Sequence, residues 1–229
     1  MAGPGDRTAG RARTPRVALA RIRAAQTGEI TRLREQIMEA AIEACGEHGY
    51  RDATVQHAID RYGGHRQQFY KHFASKAECY AGAYEFEVER LYAALGARAA
   101  AQPTWHSGLF AVLAGLAELI CARPTFARGL LVEVHVAGGP ALLKRLEVFE
   151  RLTRAVDSAR RETESRHSPP PVTATFMVGA IEAAVTSALT RAEPQDFAAA
   201  VPELAQMVIA AYFGDEIADE ETAILRDAA

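Results

Sequence analysis

Apolar residues recur at intervals of three and four along almost the whole chain, and the pattern breaks only where proline or glycine interrupts it. That period belongs to helices with one buried face, because 3.6 residues per turn brings positions three and four apart onto one side. Ile30, Leu33, Ile37, Ala40, Ala41 and Ala44 form such a stripe, so a first helix is expected over 29–48, closed by Gly49 as its cap. A second is expected behind Thr54, whose hydroxyl can accept from the free amides of a first turn, and it stops at Tyr62-Gly63-Gly64. A third follows over 65–73. Ser75 caps a long fourth over 76–100, in which Tyr80, Ala83, Tyr84, Glu87, Leu91 and Leu95 share a face. Further helices are expected over 104–122, 124–136, 139–166, 171–191 and 195–213, about nine altogether. Pro103 and Pro124 set starts, Gly138-Gly139-Pro140 forces a turn, and Ser168-Pro169-Pro170-Pro171 admits no helix. Pro202 falls inside the last of these, which either begins near Val201 or kinks there. The run Leu130 to Val136 reads equally as a short strand or a buried helix. The expected class is all-α.

With 229 residues, 49% hydrophobic and 24% charged, the chain has globular proportions and room for a sizeable core. No apolar run approaches the roughly 20 residues that span a bilayer, and the Arg- and Ala-rich start lacks the apolar centre of a secretory signal. A soluble, cytoplasmic protein with no membrane partner is expected. Cys45, Cys79 and Cys121 contain no CxxC pair, which favours reduced thiols over disulfides or a zinc site. HExxH, GxSxG, a phosphate-binding glycine loop and clustered Cys/His are all missing from the sequence, so no catalytic residue, metal or cofactor is expected.

The net charge of −3 conceals an asymmetry. Residues 1–76 hold 13 Lys and Arg against 8 Asp and Glu, whereas the remainder holds 13 against 21. A basic head on an acidic body is what a polyanion would orient, and nucleic acid is the first candidate partner. The second helix, its glycine turn and the third helix form a helix-turn-helix, in which the first element braces on the phosphate backbone and the second enters the major groove. In His65-Arg66-Gln67-Gln68-Phe69-Tyr70-Lys71-His72-Phe73, Phe69 and Phe73 can face the core and leave Arg66, Gln67, Gln68 and Lys71 outward. Arg can bridge guanine O6 and N7, and Gln can bridge adenine N6 and N7.

Through Thr54-Val55, Gly63, Phe69-Tyr70-Lys71-His72-Phe73 and Ala74-Ser75-Lys76-Ala77-Glu78, the sequence resembles the TetR family of bacterial repressors. The resemblance covers about 50 residues, from the first helix with Ile37, Ala40, Ala41 and Gly49-Tyr50 to the start of the fourth. It implies a helix-turn-helix DNA-binding domain at 29–75, preceded by a basic, flexible extension at 1–28. A helical ligand-binding and dimerisation domain would occupy 76–229. It further implies phosphate contacts from Thr54, Tyr70, Lys71, His72 and Lys76, and base contacts from Arg66, Gln67 and Gln68. Two departures stand out. Gly64 and His65 replace the family's small apolar residue and serine after the turn glycine, and Ala58, Ile59 and Tyr62 rearrange the bulk of the second helix. Among the arginines of the extension, Arg7, Arg11, Arg13, Arg16, Arg21 and Arg23, the last three are candidates for a minor-groove arm.

For the remainder, the resemblance implies a homodimer that binds a palindromic operator and releases it on binding a small apolar or amphipathic effector. Candidate dimer residues are Ala180, Ala184, Ala188, Phe197, Leu204, Val208 and Tyr212, on two helices able to build a four-helix interface. Candidate pocket residues are Tyr84, Trp105, Phe110, Leu113, Phe126, Leu130, Glu133, Phe149, Phe176 and Met177. Glu133, His135 and Glu182 are polar exceptions in apolar surroundings, and a buried carboxylate requires a partner. Two alternatives remain at this point. One is a thiol sensor acting through Cys79 in the fourth helix; the other is an architectural DNA-binding protein without a ligand.

Overall fold

Proline at the first helical position costs nothing, because its missing N–H would be unpaired there, and Arg and Ala are good helix formers. In a computed structural model of the chain, α1 accordingly runs Pro15–His48 and does not wait for Glu29. The structure describes the backbone of residues 15–162 and 169–227 and the side chains of 30–162 and 169–224. Arg7, Arg11 and Arg13, and the side chains of Arg16, Arg21 and Arg23, therefore lie outside the described residues, and so do the candidate arm contacts. The chain divides into two compact units, Met1–Gln36 and Ile37–Ala229.

In the second unit α1 is followed by α2 (Val55–Tyr62), α3 (Arg66–His72), α4 (Lys76–Ala100), α5 (Trp105–Ala122), α6 (Pro124–Leu131) and α7 (Val134–Ala137). Then come α8 (Gly139–Asp157), a 3-10 turn (Ser158–Arg161), α9 (Thr173–Thr190), α10 (Pro194–Phe213) and α11 (Asp215–Asp227). Among the described residues there is no strand, and the fold is all-α. The run 130–136 is helical and interrupted, so the helix expected at 124–136 is two, α6 and α7. α10 continues through Pro202. Gly214, at φ 92°, ends it, and α11 follows where no helix was expected.

Three helices, Trp105–Ala122, Thr173–Thr190 and Pro194–Phe213, have the length and apolar composition to cross a bilayer, contrary to the expectation from the sequence. Their apolar faces are turned on one another. Leu113, Ala117 and Ile120 of α5 pack with Val185, Ala188 and Leu189 of α9 and Phe197, Val201 and Ala205 of α10. Each helix buries one side in this bundle and leaves the rest of its apolar surface outward, Phe176 of α9 and Met207 of α10 among it. A second cluster sets Val208 and Tyr212 against Ala159, with Trp105 and Met177 packed at its side.

α6 carries this bundle to α1 through an exceptionally close crossing. A Cβ added to Gly129 would lie 2.0 Å from the Ile42 carbonyl oxygen, and one on Gly46 would lie 1.8 Å from that of Thr125. Only glycine lets the two backbones approach so far. The Tyr80 hydroxyl donates to the Gly129 carbonyl at 2.7 Å and ties α4 into the same crossing.

Candidate nucleic-acid interface

α2 begins as its sequence requires. Thr54 Oγ1 accepts the His57 N–H at 3.2 Å, and His57 Nδ1 accepts the Thr54 N–H at 3.3 Å, a reciprocal cap built with histidine in place of the common glutamate. Gly63 closes the helix in the left-handed region at φ 73°. Arg61 pairs with Glu43 at 2.8 Å and with Glu47, bracing α2 on the acidic edge of α1. Phe69 and Phe73 are buried with ring centroids 5.9 Å apart, so α3 turns its apolar side inward as its spacing predicts.

Its other side is exposed. Arg66, Gln67, Tyr70 and Lys71 all face solvent, and Tyr70 keeps 45% of its surface free despite its aromatic ring. The Arg66 guanidinium lies 5.5 Å from the Tyr70 ring centroid and donates to its hydroxyl at 3.4 Å. Thr54, at the start of α2, is exposed and His72 is half-buried. Gln68 is placed differently. Its carboxamide oxygen accepts the His65 N–H at 2.8 Å, which turns the amide toward its own backbone and away from the geometry of a bidentate adenine contact.

Lys76 also departs from the implied role. Its ammonium donates to the carbonyl oxygens of Tyr50 at 2.6 Å, Ala53 at 2.7 Å and Arg51 at 3.3 Å, and it sits 4.5 Å from the Tyr50 ring centroid. With three donors on three carbonyls, no N–H remains for a phosphate. On the other side of the same loop, the buried Glu133 carboxylate accepts the Tyr50 N–H at 2.7 Å and pairs with Arg128 at 3.2 Å, while Arg128 donates to the Gly46 carbonyl at 2.9 Å. The loop feeding α2 is thus held between a cation at the start of α4 and an anion at the α6–α7 junction. Cys45 lies in this apolar, crowded region, and burial pushes its thiol up to about 12. Glu133 was a candidate pocket residue, and the structure makes it a loop clamp. Arg123 and Arg128, which the sequence analysis did not single out, complete the connection. Arg123 pairs with Glu39 and, at 2.7 Å, with Glu43. Long-range ion pairs of this kind leave no local pattern in a sequence.

The other candidate pocket residues do not share one cavity. Leu113, Phe126 and Leu130 are core, Phe110 packs beside the α5–α9–α10 cluster, and Trp105 and Met177 pack near Tyr212. Tyr84 is buried and its phenol is pushed up by desolvation. Phe149 lies 5.9 Å beneath the Arg145 guanidinium, and Phe176 is 67% exposed. An open groove of about 690 Å³ lies instead between α7, α8 and α9, lined by Val132, His135, Val136, Arg145, Glu182 and Thr186, among others. Arg145 and Glu182 pair across it at 2.5 Å. His135 and Glu182 were the polar exceptions of the sequence.

Among the candidate dimer residues, Ala188, Phe197, Val208 and Tyr212 point into the core of their own chain and cannot face a partner. Leu204 and Ala184 are partly buried against it, and Ala180 is half-buried. The outer sides of α9 and α10 carry Phe176, Ala183, Ala199 and Met207 in their place. Cys79 is 0% exposed, the setting of an inert structural thiol, which weighs against the thiol-sensor alternative.

Residues 37–83, which span the helix-turn-helix and the start of α4, match the family described as bacterial regulatory proteins, tetR family. By this match, residues 37–83 carry a TetR-type DNA-binding segment. The TetR-family segment is continuous with a fold shared by solved regulators. The fatty acid degradation regulator FadR from Bacillus halodurans superposes with a TM-score of 0.66 at 17% identity, covering 76% of this chain and 96% of that one. FadR from Bacillus subtilis, solved in complex with stearoyl-CoA, gives 0.66 at 16% identity over 77% and 97%. TylP, a TetR regulator from Streptomyces fradiae, gives 0.62 at 16% over 86% and 97%. At these identities the likeness is one of fold. No curated protein matches the chain in sequence.

Proposed function

We propose that this TetR-family transcription regulator is a homodimeric repressor that binds an inverted-repeat operator and leaves it when a small amphipathic molecule binds its C-terminal helices. The exposed face of α3 carries the reading: Arg66, Gln67, Tyr70 and Lys71 project from a helix whose opposite side is anchored by Phe69 and Phe73. Arg66 and Gln67 read base edges, while Thr54, Tyr70, Lys71 and His72 hold phosphates and set the register. Arg16, Arg21 and Arg23 extend the contact into the minor groove. Residues 29–75 are the DNA-binding part and 76–229 the sensing and dimerising part.

The dimer forms through the outer sides of α9 and α10, where Phe176, Ala183 and Met207 are exposed. Release is supported by the clamp on Tyr50: Glu133 belongs to the segment that also lines the groove through Val132, His135 and Val136. A ligand favouring a displaced α7 would pull on the loop that enters α2, and only such differential binding can shift the equilibrium. The stearoyl-CoA complex of Bacillus subtilis FadR, which has the same fold, supports an amphipathic ligand.

Selection from a random DNA pool tests the reading. The parent should enrich an inverted repeat with half-sites about one helical turn apart. Tyr70→Ala should weaken all sequences alike, and Arg66→Ala should relax one base position. Binding that merely tracks salt and survives both changes would sink it.

A further inference from the structure

Base reading leaves the turn between α2 and α3 with two residues unexplained, Tyr62 and Gly64. A Cβ on Gly64 would lie 1.9 Å from Tyr62 Cε2 and 2.7 Å from Gln68 Oε1, so the space above the Gly64 backbone is filled by the Tyr62 ring. The Tyr62 hydroxyl donates to the His65 carbonyl at 2.9 Å. The His65 N–H, one of the donors that a helix start leaves free, goes to Gln68 at 2.8 Å. The last residue of α2, the turn and the first turn of α3 are thereby joined by an aromatic ring on bare backbone and two hydrogen bonds. Tyr62 and Gly64 also explain one another. Any side chain at 64 would expel the ring, and a small residue at 62 would leave the glycine uncovered.

We propose that Tyr62 and Gln68 are positioning residues for sequence recognition: together they fix the angle at which α3 leaves α2, and Gln68 reads no base. The inference rests on the DNA-binding reading of α3. Seven residues at about 1.5 Å each make α3 about 10 Å long. A rotation of about 10° at the turn carries the far end about 2 Å and, acting on side chains that reach about 6 Å from the helix axis, moves the Arg66 and Gln67 head groups about 1 Å, more than the roughly 0.5 Å within which a recognition group must be held. The angle of α3 thus governs discrimination at every base position that Arg66 and Gln67 reach, whereas a base reader governs one.

The test uses full-length protein and four variants: Tyr62→Phe, Tyr62→Ala, Gln68→Ala and Gln68→Glu. Gln68→Glu keeps the acceptor and places a carboxylate where a helix start favours it. For each, the affinity ratio between the selected operator and its singly substituted versions is measured, alongside thermal unfolding and hydrogen exchange over residues 62–69. Gln68→Ala and Tyr62→Phe should each lower discrimination about 3- to 10-fold across several base positions, with the loss of one hydrogen bond setting the scale. Gln68→Glu should keep the pattern of base preference while weakening all sequences together through repulsion. Gln68→Ala should speed exchange at the His65 amide and Gln68→Glu should not, a comparison that needs no DNA. Loss of preference at a single base pair in Gln68→Ala, with both Tyr62 variants unchanged, would make Gln68 a base reader and overturn the proposal. An unaltered His65 exchange rate in Gln68→Ala would overturn it whether or not an operator is found, which separates its failure from that of the repressor reading.

Discussion

An ammonium offers three N–H groups, which can serve one phosphate or three carbonyls, and Lys76 has given its own to Tyr50, Arg51 and Ala53. The distinction matters because the two roles respond differently to salt. A phosphate contact contributes to the slope of log affinity against log salt, and an internal bond does not. Lys76→Met should therefore leave that slope unchanged while lowering stability by about 2 kcal/mol through the carbonyls left unpaired. Lys71, which is exposed on α3, should behave in the opposite way. Lys71→Ala should reduce the slope by about one and leave stability within about 0.5 kcal/mol of the parent. Titrating operator affinity at several salt concentrations, beside urea unfolding of both variants, checks the pair. Gln68 shows the same principle: a polar group turned toward its own backbone is turned away from a base.

At the scale of elements, the crossing of α1 and α6 is the point of least tolerance. Gly129 lies 2.0 Å, by its absent Cβ, from a backbone oxygen that no rotamer change can move. Gly129→Ala should force the helices apart and lower stability by about 2 kcal/mol or more. Gly96 on α4 has nothing within 4 Å of its Cβ position. Gly96→Ala should stabilise the protein by about 0.5–1 kcal/mol through reduced chain entropy. Thermal unfolding of the two variants gives opposite signs if the crossing is as close as described. The α11 helix belongs to this scale as well. It is acidic along most of its length, and it is held by buried Ala218 and Thr222, by Gln206 donating to Asp219 at 2.6 Å, and by Glu221 lying 3.3 Å from His106. Ala218 and Thr222, four apart, are its buried pair among the described residues, on one side of an otherwise acidic run.

Across the molecule, charge pairs join the long α4 to α8. Glu89 accepts from Arg151 at 2.5 Å and from Lys144 at 2.9 Å, bridging α4 to α8. Hydrogen bonds from these two cations hold the Glu89 carboxyl below its ordinary value of 4.5. A carboxyl depressed in the folded state binds fewer protons there than in the unfolded chain. Its contribution is therefore complete above about 4.5 and is lost as pH falls through the lower, folded value. The melting temperature should fall with acidification in that window, and Glu89→Gln should flatten the fall. An unchanged pH profile in Glu89→Gln would remove the bridge from the account of stability.

The all-α class, the helices α2 to α5, the caps at Thr54 and Ser75, and the outward set Arg66, Gln67 and Lys71 were legible in the sequence, because each depends on residues within four positions of one another. The TetR resemblance was legible for the same reason: the helix-turn-helix is a local motif, and its spacing survives where the following helices vary. What three-dimensional packing settled is the partner of each polar group. Nothing near Glu133 in the chain announces Tyr50, nothing near Lys76 announces three carbonyls on the loop before α2, and nothing in α10 distinguishes the buried Tyr212 from a dimer contact. Periodicity finds the face of a helix that is apolar. Which neighbour covers that face depends on contacts between residues far apart in the chain, and these exist only once the helices have packed.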